Sequence, residues 1–433
     1  MIDFLGSNPS EAILADISQH NLGGVILYWY QNMPERSQIL SMTTYLNDNA
    51  QIPLFIATDQ EPGFPQNLNA QNGFSDTPSA HELGVMDTES ETRNIAATFA
   101  NWFTEVGINL DLAPVVDLRL DSTNVIGDRA FSSDPATVTR NAYWFIDEFH
   151  QQSHATTLKH FPGHGSAADD THAGFTDVTD TWSDIELEPY RALIDSGVVD
   201  LIMTAHVFNS NIDSLYPATL SYNTITGLLR DSLGYNGVVI TDEMSMGAIR
   251  NNYGIDEAFI LAVNAGVDII LYRIGRDPAG RTSISYIIDL LEQKVIDGTI
   301  PVSRINESYA RIIKLKENYF GPGVVSTQVA QWINPVKFEL INYPNPFNPA
   351  TTIEFTLPRR EPVRIVVYDL LGRSVRQLTS ATLEPGRQSI SWDGRDDHGR
   401  QVATGMYIYR LLVPPTEGVT PSTSLARKMM LLK

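Results

Sequence analysis

The run Gly237-Val238-Val239-Ile240-Thr241-Asp242-Glu243-Met244-Ser245-Met246 decides how most of the chain is read. Three β-branched apolar residues followed by Thr241 are too short for a helix and describe a strand buried on both faces. The run stops at two carboxylates, so polar chemistry begins at the C-terminal end of that strand. The same composition recurs outward in both directions. Apolar runs at 1–5, 24–28, 54–58, 108–113, 155–160, 201–205 and 267–271 join 238–241 to give eight predicted strands. Segments with helical spacing at 88–106, 135–152, 188–196 and 254–265 lie between several of them, and two more, 283–297 and 302–319, follow the last. This α/β alternation with apolar strands predicts a parallel sheet covered by helices, and eight units in about 320 residues predict a closed (β/α)8 TIM barrel. A doubly wound sheet of Rossmann type is the alternative, but no strand is followed by the glycine-rich dinucleotide turn it needs.

The style changes near the end of the chain. Residues 321–337 contain Gly321-Pro322-Gly323 and a mixed polar run, which read as a linker between a domain at 1–320 and another at 338–433. Beyond it, short alternating strands at 352–357, 363–368, 388–392 and 406–412 are separated by turn clusters such as Asp393-Gly394 and Asp397-His398-Gly399. That pattern predicts a small all-β immunoglobulin-like sandwich. Charge divides the same way. Residues 336–433 hold 13 basic and 9 acidic side chains, a net of +4, which leaves −25 of the total −21 on residues 1–335. So acidic a surface repels nucleic acid and anionic lipid and suits a neutral substrate such as a sugar, while the bland reading is solubility alone. No apolar run reaches the ~18 residues a membrane helix needs. With no cysteine in the chain, disulfides, thiolate metal sites and cysteine nucleophiles are excluded.

Polar residues cluster just after the predicted strands: Asp59-Gln60-Glu61, Asp117, Lys159-His160, His206 and Asp242-Glu243. In a barrel these positions ring one mouth. Asp242, delivered there by its strand, can attack an anomeric carbon; the competing reading is a helix cap. The richest segment, Lys159-His160-Phe161-Pro162-Gly163-His164-Gly165, is followed by Asp169-Asp170-Thr171-His172. A carboxylate beside an imidazole fixes its tautomer and favours the protonated ring, which can donate to a leaving oxygen. Arg129, in Val125-Ile126-Gly127-Asp128-Arg129-Ala130-Phe131, can hold sugar hydroxyls, and Asp59 can accept hydrogen bonds from them. Glu243 and His164 are read as structural, His206 as lining the mouth and His154 as a surface residue. Tyr28, Trp29 and Tyr30 fit a sugar platform and core packing equally well. Asp169, Asp170 and His172 lack the second histidine–carboxylate cluster that a closed metal site needs, so no metal and no cofactor are expected.

Taken together, these motifs resemble glycoside hydrolase family 3, in its β-N-acetylglucosaminidase branch, over about residues 1–320. The resemblance implies Asp242 as nucleophile, Asp170–His172 as an acid/base dyad, and Asp59, Arg129, Lys159 and His160 as sugar-binding residues. Pro217-Ala218-Thr219-Leu220-Ser221 matches a further family segment. The chain departs from the pattern after Asp59-Gln60-Glu61. Where the family carries Gly-Gly-Arg-Val-Gln-Arg, it has Pro62-Gly63-Phe64-Pro65-Gln66-Asn67 and lacks both arginines. Tyr343-Pro344-Asn345-Pro346-Phe347-Asn348-Pro349-Ala350-Thr351-Thr352-Ile353, with Val367–Gly372 and Gly405–Tyr409, resembles a type IX secretion sorting domain.

These readings add up to a retaining exo-β-N-acetylglucosaminidase, a monomer that takes a small carbohydrate and no nucleic acid. The tail implies contact with a secretion machinery and a secreted or cell-surface location. No export signal precedes Met1, so such a segment has been removed or the start assigned late. Three rivals stand beside this reading. One is a β-glucosidase of the same family, which the Asp170-Thr171-His172 loop opposes. Another is a phosphorylase, since a neutral histidine does not repel phosphate. The third is a catalytically silent carbohydrate-binding surface protein.

Overall fold

The computed structural model describes the chain apart from residues 121–124, 168–170, 172–173, 278, 324–339, 358–360, 384–385, 414–422 and 433. It divides into two compact units, Met1–Val325 and Ser326–Lys433; most of the expected linker lies outside the described residues.

In the first unit six strands pair in parallel and in chain order: Gly24–Ile26, Phe55–Thr58, Leu110–Asp111, Ala155–Phe161, Leu201–Thr204 and Val238–Thr241. Every residue of these strands is buried. Successive side chains leave opposite faces of a strand. Accordingly Val25, Ile56, Leu158, Ile202 and Val239 pack among the helices, while their neighbours Ile26, Phe55, Leu201 and Ile240 share a second, inner cluster. Ile26 and Ile240 belong to the two edge strands, so the sheet is curled with its edges turned toward each other.

Of the eight expected strands, six pair as strands of this sheet among the described residues. Stretches 1–5 and 267–271 contribute single bridges, Ile2 to Val25 and to Tyr272, and Ile269 to Ile240. Backbone hydrogen bonds such as Ile26 N to Ile2 O and Thr241 N to Ile269 O accompany these bridges, and polar side chains take further amides nearby. Thr241 Oγ1 takes the amide of Leu271 at 2.9 Å, Glu243 Oε1 that of Arg273 at 3.1 Å, and Asp3 Oδ1 that of Gly275 at 3.1 Å. The fold is therefore a curled parallel half-barrel clad in helices.

The helices follow their apolar stripes and caps. Glu89–Val106 ends at Gly107, whose φ of 72° is left-handed. Pro135–Gln151 opens with proline at its first turn and the Asp134 side chain accepting from Thr137 N. Glu188–Ser196, Ile255–Ala265, Ser285–Ile296 and Val302–Phe320 fall where spacing predicted them. Glu11–Gln19 and Arg36–Asp48 were not anticipated. The last helix fixes which end of the half-barrel is open. Leu315 and Phe320 join the inner cluster, with the Phe320 ring 5.9 Å from Phe55. Lys316 donates to the carbonyls of Gly23 and Pro53, and Tyr319 Oη to Asp200 Oδ1 at 2.6 Å. All three acceptors precede strands, so this helix plugs the N-terminal face and leaves the C-terminal ends free.

The second unit holds two antiparallel sheets. One has the order Gly386–Trp392, Thr351–Leu357, Leu340–Tyr343; the other Ser374–Leu383, Glu361–Tyr368, Gly405–Val413, Thr423–Leu431. Alternate residues of both, including Ile353, Phe355, Ile365, Val367, Tyr409 and Leu411, close on the fully buried Trp392. The four strands expected from sequence are present, and among the described residues three more accompany them.

Candidate active site

Each cluster of polar residues that ends a strand lies on the open face. Thr58 finishes its strand and hands over to Asp59, whose carboxylate keeps part of its surface in solvent. Two residues on, Glu61 is almost wholly buried. Lys159 bridges the pair, with Nζ 2.8 Å from Asp59 Oδ1 and 2.6 Å from Glu61 Oε1. Arg129, from the short turn Gly127–Arg129, clamps Glu61 through Nε and Nη2, both at 2.8 Å. Burial alone would raise the Glu61 carboxyl, but the charges of Arg129 and Lys159 override it and bring it to about 2. Burial likewise works against the Lys159 ammonium, and Asp59 with Glu61 more than restores it. The set is a buried network of two carboxylates and two cations, with Asp59 as its outlet to the mouth.

His160 continues the same strand. Its Nδ1 lies 2.6 Å from Asp117 Oδ2, and its Nε2 lies 3.5 Å from Arg129 Nη2. Burial first, and the Arg129 charge second, push the ring well below the ordinary imidazole range, with Asp242 pulling the other way. An arginine on Nε2 and a carboxylate on Nδ1 favour the neutral ring with its proton on Nδ1, a form suited to orienting a hydroxyl. Asp117 also receives the amide of His164 at 2.8 Å, so one carboxylate fixes both ends of the Lys159–His164 segment.

Asp242 follows Val238–Thr241 and is half-buried. Its amide donates to Thr204 O at 3.2 Å, and its Oδ1 accepts from Glu243 N at 2.7 Å. Its field reaches both His160 and His164. Glu243 turns away: its oxygens take Ser245 N, Ser245 Oγ and Arg273 N. His206, buried, touches Thr219 Oγ1 at 2.8 Å and the Glu243 carbonyl at 3.0 Å, behind the Asp242 loop.

The loop after His160 is held along the rim. Gly163 has φ of 125°, and a Cβ there would come 2.7 Å from Glu186. Glu186 accepts from Gly165 N at 2.9 Å and Ser166 Oγ at 2.6 Å. Ala167 packs with Ala205 and Val207, and Thr176–Asp177 pairs in parallel with Val207–Phe208. Between them Thr171 is buried, its carbonyl accepting from Ala248 N at 3.1 Å and its hydroxyl 3.3 Å from His164 Nε2. Ala248 belongs to Gly247–Arg250, the short helix entered directly from the Asp242 segment. Asp170 and His172 themselves lie outside the described residues.

The sequence pattern of the "Glycosyl hydrolase family 3 N terminal domain" matches residues 1–315. The chain belongs to glycosyl hydrolase family 3. It is a glycoside hydrolase. The hydrolase is 38% identical over 265 residues to a β-hexosaminidase of Tolumonas auensis, covering 59% of this chain and 77% of that protein. It is 34% identical over 274 residues to a β-hexosaminidase of Mycobacterium tuberculosis, covering 61% and 68%. A solved family 3 β-N-acetylglucosaminidase from Paenibacillus sp. str. FPU-7 superposes with a TM-score of 0.69 at 31% identity, over 79% of this chain and 68% of that one. In the second unit, residues 348–411 match the FlgD Ig-like domain.

Asp59, Arg129, Lys159 and His160 of the hydrolase form one contiguous network, and Asp242 lies within electrostatic reach of it. Arg129 spends its fork on Glu61, a residue that sequence reading noted but gave no role. The available signal was spacing, since Asp59 and Glu61 are two apart on an extended segment and share a side. Asp117 was placed at the mouth without a function, and it proves to be the partner of His160. His154 is a correction: it is buried against the Phe103 and Phe149 rings, and burial lowers it to about 4.

Proposed function

We propose that this hydrolase is a retaining exo-β-N-acetylglucosaminidase acting by double displacement. Asp242 attacks C1 of the terminal N-acetylhexosamine while protonated His172, oriented by Asp170, donates its proton to the departing glycosidic oxygen. A covalent glycosyl-enzyme forms. Neutral His172 then takes a proton from water, the hydroxyl attacks C1, the bond to Asp242 breaks, and the β configuration returns after two inversions. Asp59, Lys159, His160 and Arg129 bind and orient the sugar.

The observation that carries this reading is the anchoring of Thr171. Both dyad members adjoin a residue tied to Ala248, on the segment that Asp242 opens. Support for the substrate comes from the relatives, which are named as β-hexosaminidases and β-N-acetylglucosaminidase. The second unit is proposed to direct export, on the strength of its Tyr343–Ile353 opening and sandwich form.

Two measurements test the reading. A panel of chromogenic β-glycosides is expected to show N-acetylglucosaminide cleaved far faster than glucoside. His172→Ala is expected to slow the first step much more for natural disaccharides than for aryl glycosides with good leaving groups. Equal losses on both, measured before the steady state, would rule out proton donation by His172.

A further inference from the structure

The rim beside Asp59 carries an aromatic group to which the reaction gives no role. Tyr28, Trp29 and Tyr30 follow the Gly24–Ile26 strand. Trp29 packs into the helix-side core and Tyr28 into the inner cluster. Tyr30 lies on both: its ring stacks on Tyr28 at 5.6 Å and 26°, and meets Trp29 edge-on at 5.7 Å and 86°. It nevertheless remains 52% exposed. One face is covered and the ring is held, so the exposed side is a rigid apolar surface.

That surface is tied to both halves of the reacting site. Asn67 accepts from Trp29 N at 3.0 Å and donates to the Asp59 carbonyl at 2.9 Å. On the other side the Arg273 guanidinium sits 4.4 Å over the Tyr28 ring and 5.9 Å from that of Tyr30, while its amide donates to Glu243 next to Asp242. Asp3 and Gln31 hold that guanidinium in turn. Two short connections therefore tie the aromatic loop to the segments that carry Asp59 and Asp242. The buried, charged network of Glu61, Lys159 and Arg129 suits the hydroxyls of the reacting ring. A sugar beyond that ring meets the rim, where this chain lacks the two arginines its family carries after Asp59-Gln60-Glu61.

We propose that Tyr30, braced by Tyr28, Trp29 and Arg273, is a stacking platform for the sugar that leaves, selecting β-linked oligosaccharides whose second residue presents an apolar face. The proposal rests on the glycosidase reading above. Rigid aromatic rings supply contact area at low entropy cost, which is why sugars with a flat face of C–H bonds settle on them.

The test compares kcat/KM for N,N′-diacetylchitobiose with that for methyl N-acetyl-β-glucosaminide, whose leaving group is too small to cover the ring. In Tyr30→Ala the ratio of the two is expected to fall about five- to tenfold, mainly through KM for the disaccharide; Tyr30→Phe and Tyr30→Trp should restore it. An unchanged ratio, or equal losses on both substrates, would overturn the platform. If the wild-type enzyme prefers another sugar, the glycosidase reading fails on its substrate while the same ratio, taken on the pair it does cleave, still decides the platform. Calorimetric binding of the uncleavable thio-linked disaccharide reads the ring without turnover, and affinity unaltered by Tyr30→Ala would likewise count against it.

Discussion

Glu61 illustrates how one side chain organises a site. It holds two cations at once, Arg129 through both oxygens and Lys159 through one, within a pocket where neither cation has much water. Removing the carboxylate leaves two buried positive charges facing each other. Glu61→Gln is therefore expected to cost about 3 kcal/mol or more at neutral pH, read by thermal or urea unfolding. The pH dependence follows from the sign of its shift. Its carboxyl is held at about 2 in the folded chain, against an ordinary value of 4.5. The stabilisation is complete above that ordinary value and disappears as pH falls toward 2. Wild type and variant should then converge in acid. A gap that stays constant from pH 7 to pH 2 would show that Glu61 acts by packing rather than charge. Asp59 and Lys159 were legible from sequence because each lies at or near the C-terminal end of an apolar run. Glu61 and Asp117 were not given roles, because a carboxylate's worth here comes from partners far away in sequence, Arg129 and His160.

At the scale of elements, the proposed mechanism rests on the loop leaving Ala155–Phe161, which would bring the dyad to Asp242. Its footing is Glu186, on the turn Asp184–Leu187, which receives Gly165 N and Ser166 Oγ. Glu186→Ala removes both acceptors and is expected to lower kcat/KM about tenfold or more through loss of positioning; Glu186→Gln, which keeps an acceptor, should restore most of it. Burial raises this carboxyl to about 7. Between its ordinary 4.5 and about 7 the folded chain holds a proton that the unfolded chain has released, so wild-type stability declines as pH rises through that window. The melting temperature of Glu186→Gln should gain on wild type from pH 5 to pH 8. A difference that does not change with pH would mean Glu186 is ionised throughout. The glycines and the proline of this loop announced an irregular turn in sequence. Glu186 gave no such sign, since nothing local links it to residue 165. The same limit applies to strands. Apolar runs marked 24–26, 55–58, 201–204 and 238–241 well, yet 1–5 and 267–271 looked equally strand-like. They contribute single bridges at Ile2 and Ile269, so an apolar run alone does not fix how far a ladder extends.

Across the whole molecule, residues spread from Asp59 to Asp242 meet at one face because the sheet curls and Val302–Phe320 closes the opposite end. The alternation of apolar runs foretold this parallel, helix-clad arrangement, and the shift in composition and charge foretold the second unit. What sequence misjudged was the pairing at the sheet's two edges, where among the described residues single bridges at Ile2 and Ile269 stand in place of two expected strands. The proposed reaction needs the meeting at one face, with one sugar ring between Asp242 and a loop that departs from a different strand.

Trapping the covalent intermediate tests that claim most directly. The enzyme is treated with an N-acetylglucosaminyl fluoride carrying a second fluorine that slows turnover, digested, and mapped by mass spectrometry. A single glycosylated peptide modified at Asp242, absent from Asp242→Asn, is the outcome this account requires. Label on Asp59, Glu243 or any other residue, or steady-state turnover by Asp242→Asn near the wild-type rate, would contradict it.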